Sequence, residues 1–345
     1  MFGRLMNNYY YGKSGKGDFR KEDMPENRWQ LFWDVLRTRL SALVRLNLMY
    51  MVVWLPTMIV MLLTFISGIS NLNTIMMAKD GTLKQAVEES AGEENALTYT
   101  DEQIEELANV NAGDFIQSSV FTMLLILIPC IAITGPATSG VSYVVRNWAR
   151  DEHAFIWSDF KDAVKENWKQ SLVVSAITGV IPLLVYVAWR FYGQLAAKQA
   201  FMVIPQVLVL MLAIIWALCV TYFYPLLVTY KLRMRDVLRN GLLLGVARLP
   251  MSLGIRLLHC VPGVIGFLIC YLWNPIYGAL IMFAYYMLLG FSLSRFVTAS
   301  YTNAVFDRFL NSKIEGAKVN QGLRQESEDD EEEDEDGESG PNPAE

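Results

Sequence analysis

The sequence is poor in the residues that enzymes most often use for proton transfer and metal binding. Of its 345 residues only two are histidine, His153 and His259. It contains no HExxH zinc pair, no phosphate loop of the form GxxxxGKS or GxxxxGKT, and no GxSxG nucleophile turn. An imidazole base or a metal site therefore has few positions available. We expect a protein that is not an enzyme and that holds no cofactor and no metal.

Cysteine and charge are also scarce. The four cysteines lie in apolar stretches without CxxC spacing, which predicts small buried apolar side chains rather than disulfides. Charged residues make up 19% of the chain and hydrophobic residues 53%, a composition typical of membrane proteins. No basic cluster is dense enough to follow a phosphate backbone, so we expect no nucleic-acid partner. The expected partner is the lipid bilayer.

Six apolar runs are long enough to cross a membrane, which takes about 20 helical residues. The sequence therefore predicts an all-α polytopic bundle of about six transmembrane helices. The fifth run contains Arg256, His259 and the pair Pro262 and Gly263, so a broken or re-entrant helix is one alternative there. The predicted spans are residues 42–66, 117–140, 171–192, 201–230, 250–272 and 275–296.

The distribution of Lys and Arg predicts the orientation, because cytoplasmic segments retain positive charge. The N-terminal segment, the segments after spans two and four, and the C-terminal segment hold 23 of them, against four on the opposite side. We therefore expect a cell-membrane protein with both ends in the cytoplasm. The formal net charge of -6 is dominated by the tail, where residues 326–345 carry twelve acidic residues.

The same orientation divides the chain into segments on either side of the six spans of residues 42–299. Residues 1–41 are mostly polar, unlike a cleavable secretory signal, and end in either an amphipathic interfacial helix or an early start of span one. Residues 67–116 form an acidic outer loop. Thr100 and Gln103 resemble a capping box, so this loop is either a small folded cap or a mobile segment. Residues 300–325 are predicted as a cytoplasmic helical extension, and 326–345 as a disordered acidic tail.

A few polar residues inside the spans are candidates for function, because burying an ionisable group in a membrane is costly. Arg45, Arg256 and Arg295 fall near the predicted inner ends of their spans, where they could reach the headgroups or contact a substrate or lipid. Asn47 lies deeper and is expected to bond to a neighbouring helix. His259 is expected to be a hydrogen-bonded group between helices rather than a proton carrier.

Two Pro-containing pairs are predicted to kink or break their helices. Gly135 and Pro136 lie near the inner end of span two, and their freed backbone groups could line a small polar cavity with Thr134, Thr138 and Ser139. The alternatives are a structural kink and a binding or gating element. Pro262 in span five has the same two interpretations.

Several short segments between residues 40 and 255 together indicate a family resemblance. They are Leu46-Asn47-Leu48, Leu55-Pro56, Thr134-Gly135-Pro136-Ala137, Val144-Val145-Arg146-Asn147, Phe155-Ile156-Trp157-Ser158-Asp159-Phe160, Asn167-Trp168-Lys169-Gln170, Tyr224-Pro225-Leu226-Leu227, Leu238-Arg239-Asn240 and Leu249-Pro250. With these segments the chain resembles the YesL-like bacterial membrane proteins, a family known as domain of unknown function 624. It departs from that family at the long outer loop and at the acidic tail.

The resemblance implies no enzymatic activity and supplies no catalytic residues. Genes of that family often lie beside carbohydrate-uptake and sensor systems in Gram-positive bacteria, which implies an accessory or regulatory component with a sugar-transport permease or a sensor kinase as partner. The alternative function is a small transporter or permease, with a polar cavity near the broken helices two and five.

Overall fold

The computed structural model describes residues 24–90 and 98–324, and within them it contains helices and no strand. The predicted disordered tail and most of the N-terminal segment lie outside these residues. The helices are α1 (Arg28–Lys79), α2 (Thr82–Glu89), α3 (Asp101–Asn109), α4 (Ala112–Trp148), α5 (Ser158–Ala196), α6 (Val203–Thr229), α7 (Met234–Ala247), α8 (Leu249–Leu272), α9 (Pro275–Tyr285) and α10 (Phe291–Phe309). A π-helical segment, Tyr286–Gly290, joins α9 to α10.

The predicted fold class is confirmed. Six helical segments of the described chain are long and apolar enough to cross a membrane, so the protein is an all-α multi-pass bundle. They extend beyond the predicted spans at several ends, because polar residues continue the helices past the apolar runs. The six are Arg28–Lys79, Ala112–Trp148, Ser158–Ala196, Ala200–Thr229, Leu249–Leu272 and Pro275–Lys313.

Of the two alternatives for span five, the structure has the continuous one, because α8 is one helix through Arg256, His259, Pro262 and Gly263. The helix α4 is likewise unbroken at Gly135 and Pro136. A proline removes only one backbone donor, and a chain in lipid has no water to satisfy the groups that a full break would free. Continuing the helix is therefore the less costly arrangement.

The first helix is the longest. Asn27 caps it by accepting a hydrogen bond from the backbone N–H of Gln30, and its 52 residues would extend about 78 Å. That is more than twice the hydrocarbon core of about 30 Å. Residues 28–41 continue into the span without a break, and Leu31 and Val35 are buried against the bundle. The first turns of α1 are therefore part of the packed body.

The acidic loop predicted to lie outside, residues 67–116, is partly helical in its described part. Thr100 caps α3, and both hydrogen bonds of the predicted capping box are present: the Gln103 N–H donates to Thr100 Oγ1, and the Thr100 N–H donates to Gln103 Oε1. The Lys84 ammonium lies 2.9 Å from the Asp101 carboxylate, which joins α2 to α3 on an exposed surface. This hydrogen bond and the charge of Asp101 raise the pKa of Lys84.

The buried side chains form two clusters. One joins α1, α4 and α10 through residues such as Leu46, Val144 and Phe296. The other joins α5, α6, α7 and α10 through residues such as Tyr222 and Phe306. By contrast, α8 and α9 each have no more than two buried residues. The α8–α9 hairpin is therefore attached to a well-packed body rather than enclosed by it.

Both ends of the described chain lie at the same end of the bundle. The backbone N–H of Arg324 donates to the carbonyl of Pro25 at 2.9 Å. Asp307, which is 5% exposed, accepts hydrogen bonds from Arg28, Asn311 and the Asn320 backbone. After α10 ends at Phe309, the chain therefore folds back onto the start of α1, and residues 314–324 are not helical.

Candidate functional site

A polar stripe runs along one face of α8, which is otherwise apolar. Arg248, Ser252, Arg256 and His259 follow one another at intervals of four, four and three residues, so their side chains lie on the same side of the helix. Ser252 is fully buried, whereas Leu257 on another face is 59% exposed. The stripe therefore faces the bundle, and we call it the α8 seam.

Hydrogen bonds connect the α8 seam to α6 and α10. The Tyr222 hydroxyl of α6 lies 2.6 Å from Ser252 Oγ and 2.9 Å from the Tyr301 hydroxyl of α10. His259 Nε2 lies 3.0 Å from the carbonyl oxygen of Ser294. Because a carbonyl only accepts, this nitrogen carries the proton and donates. His259 is thus an interhelical group between α8 and α10.

The seam also collects positive charge. Arg295 of α10 follows Ser294, whose carbonyl contacts His259 of α8, and its guanidinium carbon stands 5.3 Å from the centre of the Tyr224 ring. Arg248 stands 5.5 Å from the centre of the Phe309 ring. The ion pairs found within residues 24–90 and 98–324 involve none of these three arginines. Three cations therefore share this region with aromatic rings rather than carboxylates.

Arg45 and Asn47, both predicted from span one, have different surroundings. Arg45 is exposed, and its Nε lies 3.4 Å from the carbonyl of Ser41 in its own helix. Asn47 is fully buried and contacts the π-helical segment: its amide nitrogen donates to the carbonyls of Tyr286 and Met287 at 2.9 and 2.8 Å. Its amide oxygen accepts from the Ser292 N–H at 2.8 Å.

The Asn47 side chain therefore satisfies backbone groups where the last span departs from α-helical hydrogen bonding. A π-helical turn leaves part of its backbone without the usual partners, and the membrane offers no water to replace them. Ser292 adds a second link, since its hydroxyl donates to the carbonyl of Leu43 at 2.9 Å. These bonds join α1 to the last span.

Gly135 and Pro136 mark a close crossing of α4 and α5. A side-chain carbon placed on Gly135 would lie 2.1 Å from Ser175 Oγ and 2.3 Å from the Ser171 carbonyl. Pro136 cannot donate to the carbonyl of Ala132, four residues earlier. The Ser175 hydroxyl donates to that carbonyl instead, at 2.7 Å. A serine of α5 thus replaces the missing hydrogen bond of α4.

The neighbouring hydroxyls are used in the same contact rather than along a cavity. Thr134, Thr138 and Ser139 are at most 3% exposed, and each donates to a carbonyl three or four residues earlier. Thr138 Oγ1 also lies 2.6 Å from the Tyr50 hydroxyl of α1. Pro262 has no comparable partner among the groups identified, and the space beside Gly263 is open.

An apolar groove lies between α1 and α4, further along both helices from the contacts of Tyr50 with Thr138. It has a volume of about 1170 Å³ and is open on one side, and its walls come from α1, α4, α9 and the π-helical segment. Its floor includes Gly68 and Ser119, and no heavy atom lies within 4 Å of a side-chain carbon placed on Gly68. We call it the α1/α4 groove; its walls include Met58, Leu62, Phe65, Ile116, Val120 and Phe283.

Sequence reasoning missed the partners that hold these sites together. Ser252 could have been found, because it stands between Arg248 and Arg256 at helical spacing. No local pattern distinguishes Ser175 as the donor for Ala132, or Tyr222 and Tyr301 as the groups that contact Ser252. Asp307 reads as an ordinary surface acid in the sequence, although it accepts three hydrogen bonds in the structure.

Residues 115–189 match a family model described as "Protein of unknown function, DUF624". The matched stretch contains the Gly135–Pro136 crossing and α5 up to Trp189. It carries no assigned activity. No curated protein and no solved structure matches the chain.

Proposed function

We propose that this multi-pass membrane protein is a non-enzymatic accessory or regulatory component that acts by contact with another membrane protein. The α1/α4 groove is the observation that carries the proposal. The association with carbohydrate uptake or sensing, and hence a sugar-transport permease or sensor kinase as partner, rests on the resemblance to the YesL-like proteins. Localisation to the cell membrane rests on the same resemblance.

The groove suits an apolar transmembrane helix of the partner. Most of its wall residues are Met, Leu, Ile and Phe, and the small residues Gly68 and Ser119 also line it. A smaller neighbouring pocket shares Gly68 and Ser119 and adds Ser67 and Ser118. Small residues let helix backbones approach closely in a membrane, where van der Waals packing drives association. Lipid acyl chains fill such a groove less specifically, and the experiment below separates the two occupants.

The packed core also favours contact over transport through the bundle. The hydroxyls near Gly135 donate hydrogen bonds to backbone carbonyls, and the Asn47 side chain is hydrogen-bonded to the π-helical segment and to the Ser292 N–H. These polar groups are committed to holding helices together. Their hydroxyl protons are already donated to carbonyls, so these groups have no donor left for a solute along α4.

The Gly68→Leu variant is expected to reduce recovery of the partner permease or kinase severalfold. Leucine has space at this position, so the variant should fold normally while its side chain occupies the groove. Gly263→Leu is the matched control, because it also adds leucine at an open glycine, outside the groove. The measurement is quantitative mass spectrometry of proteins that co-purify with the tagged protein from native membranes.

Equal recovery of the partner with all three proteins would show that acyl chains, not a partner helix, fill the groove. Recovery of no stoichiometric partner with the unmodified protein would contradict the accessory function itself. Thermal unfolding of each purified variant confirms that differences in recovery do not come from misfolding.

We further propose that both ends face the cytoplasm. The contact between Arg324 and Pro25 supports a common side for the two ends, and the Lys and Arg distribution supports the cytoplasmic side. Cysteine at Glu102 should react with an impermeant thiol reagent in intact cells, whereas cysteine at Arg235 should react only after lysis. Both positions are exposed. The reverse pattern would invert the proposed topology.

A small transporter is the second candidate, and the α8 seam is the observation that favours it. The α8–α9 hairpin is loosely attached, and its inner face carries ionisable groups that a permeating anion could contact. Uptake of labelled sugars or sugar phosphates by liposomes that contain only this protein would favour the transporter over the accessory component.

A further inference from the structure

We propose that the α8 seam binds a phosphate-bearing anion between Arg256 and Arg295, and that the source is the headgroup of an anionic phospholipid. This inference goes beyond the proposed function, since it requires no partner protein. Phosphate is the class of anion that the planar, multiply donating guanidinium group recognises best, because two parallel N–H groups can bind two of its oxygens.

The positive charges at the α8 seam are not balanced by carboxylates of the described residues. Arg256 lies one turn before His259 on α8, and His259 Nε2 lies 3.0 Å from the carbonyl oxygen of Ser294, the residue before Arg295. Arg248 precedes Arg256 by eight residues on the same side. In the described part of the chain none of the three arginines forms an ion pair with a carboxylate. Like charges gathered in an apolar bundle are costly unless an anion compensates them.

Guanidinium donors at the α8 seam lack acceptors among the described residues. The Nε–H groups of Arg256 and Arg248 are buried and have no acceptor among the residues that the structure describes. A buried donor without an acceptor is destabilising. The Arg295 guanidinium carbon lies over the Tyr224 ring, and a cation–π contact supplies no oxygen acceptor for the guanidinium N–H groups.

The position of Arg256 along α8 is compatible with contact to a lipid headgroup. Arg256 is seven residues after Leu249, which is about 10 Å along the helix axis. The helix begins at the end of the bundle that carries the Lys-rich and Arg-rich segments. A long arginine side chain can extend several ångströms back toward that end, which brings its guanidinium to the level of the lipid phosphates.

A lipid can reach the α8 seam from the bilayer along the outer face of α8. Leu253, Leu257 and Leu258 on the outer face of α8 are 39, 59 and 50% exposed. Acyl chains can therefore lie along α8 while the headgroup turns inward toward the seam. A soluble phosphate would have the same contacts at the arginines but would gain nothing from these leucines.

The test uses the full-length protein in nanodiscs of phosphatidylcholine, with and without phosphatidylglycerol. Phosphatidylglycerol should raise the Tm of the unmodified protein and should be retained in native mass spectra. Arg256→Gln and Arg295→Gln should each weaken this retention about tenfold, the effect expected for loss of a charge-assisted hydrogen bond. In phosphatidylcholine alone the same variants should be as stable as the unmodified protein or more stable, because an uncompensated charge has been removed.

Arg45→Gln is the matched control, an exposed arginine on α1 whose Nε lies 3.4 Å from the carbonyl of Ser41 in its own helix. It should keep the full response to phosphatidylglycerol. Equal loss in this control would show that general attraction to a charged membrane, not the seam, is measured, and would overturn the proposal. An unchanged response in Arg256→Gln and Arg295→Gln, or no response in the unmodified protein, would also overturn it.

Inorganic phosphate added to the protein in phosphatidylcholine distinguishes the two sources of phosphate. No change in Tm with phosphate, together with a gain from phosphatidylglycerol, supports the lipid headgroup. A gain from inorganic phosphate alone that disappears in Arg256→Gln would assign the seam to a soluble anion and would overturn the lipid source.

Discussion

Gly135→Leu is expected to remove most of the folded protein from the membrane. A single carbon at this position would already lie 2.1 Å from Ser175 Oγ and 2.3 Å from the Ser171 carbonyl, and the second of these atoms belongs to the backbone. Rotating a side chain cannot relieve the contact with the carbonyl. The helices α4 and α5 share the most extensive helix–helix contact among the described residues, and they would have to move apart.

Separating the two helices has a second consequence. Ser175 would no longer reach the carbonyl of Ala132, which Pro136 cannot satisfy. Overpacking alone costs about 1–3 kcal/mol and occasionally more, and an unsatisfied buried carbonyl adds about 1–3 kcal/mol. The total of about 2–6 kcal/mol is a large fraction of the stability of a typical protein, about 5–15 kcal/mol.

Accumulation in membranes and Tm in detergent are the measurements for this variant. Gly68→Leu is the control, since it makes the same change at a glycine with open space around it. Gly135→Ala should fall between the two, because its single carbon meets the same atoms with less to displace. Normal accumulation and Tm for Gly135→Leu would contradict the close packing of α4 and α5.

Features that depend on local pattern could be predicted from the sequence. The six spans follow from apolar runs of sufficient length, and the cap of α3 follows from Thr100 and Gln103, three residues apart. Both depend on interactions within a few residues, or on the length of chain needed to cross the bilayer. The acidic tail and the polar outer loop are compositional features of the same kind.

Features that depend on distant partners could not be predicted. Ser175, whose hydroxyl replaces the donor that Pro136 lacks, comes 43 residues after Ala132 in the sequence. No local pattern near either residue predicts this hydrogen bond. The sequence therefore suggested either a structural kink or a binding element beside a polar cavity at Gly135, where the structure has an unbroken helix and a close crossing. A proline signals the loss of a donor, but only the fold determines whether another helix replaces it.

The α8 seam also combines a feature that the local sequence predicts with a feature that depends on distant residues. The spacing of Arg248, Ser252 and Arg256 defines a polar face from sequence alone, whereas the side chains that this face meets come from α6 and α10. The absence of a carboxylate opposite the arginines is a property of the assembled helices. It could be recognised only after the described residues were placed in space.

Asn47→Leu is expected to give the second large loss of stability. Leucine has a similar volume but neither donates nor accepts, so the carbonyls of Tyr286 and Met287 and the N–H of Ser292 would lose their hydrogen bonds to residue 47. Interhelical hydrogen bonds in membranes contribute about 0.6–2 kcal/mol each. Loss of the set is therefore expected to cost about 2–5 kcal/mol.

The effect should be concentrated at the joint between α9 and α10. Hydrogen exchange should increase at Tyr286–Gly290 and at the Ser292 amide more than elsewhere, because Asn47 is the side chain that links this segment to α1. Asn73→Leu is the control, an exposed asparagine near the outer end of the same helix. If Asn47→Leu and Asn73→Leu gave the same Tm and the same exchange at the π-helical segment, that segment would not depend on Asn47, and the strain of its unsatisfied backbone would have to be relieved within the last span itself.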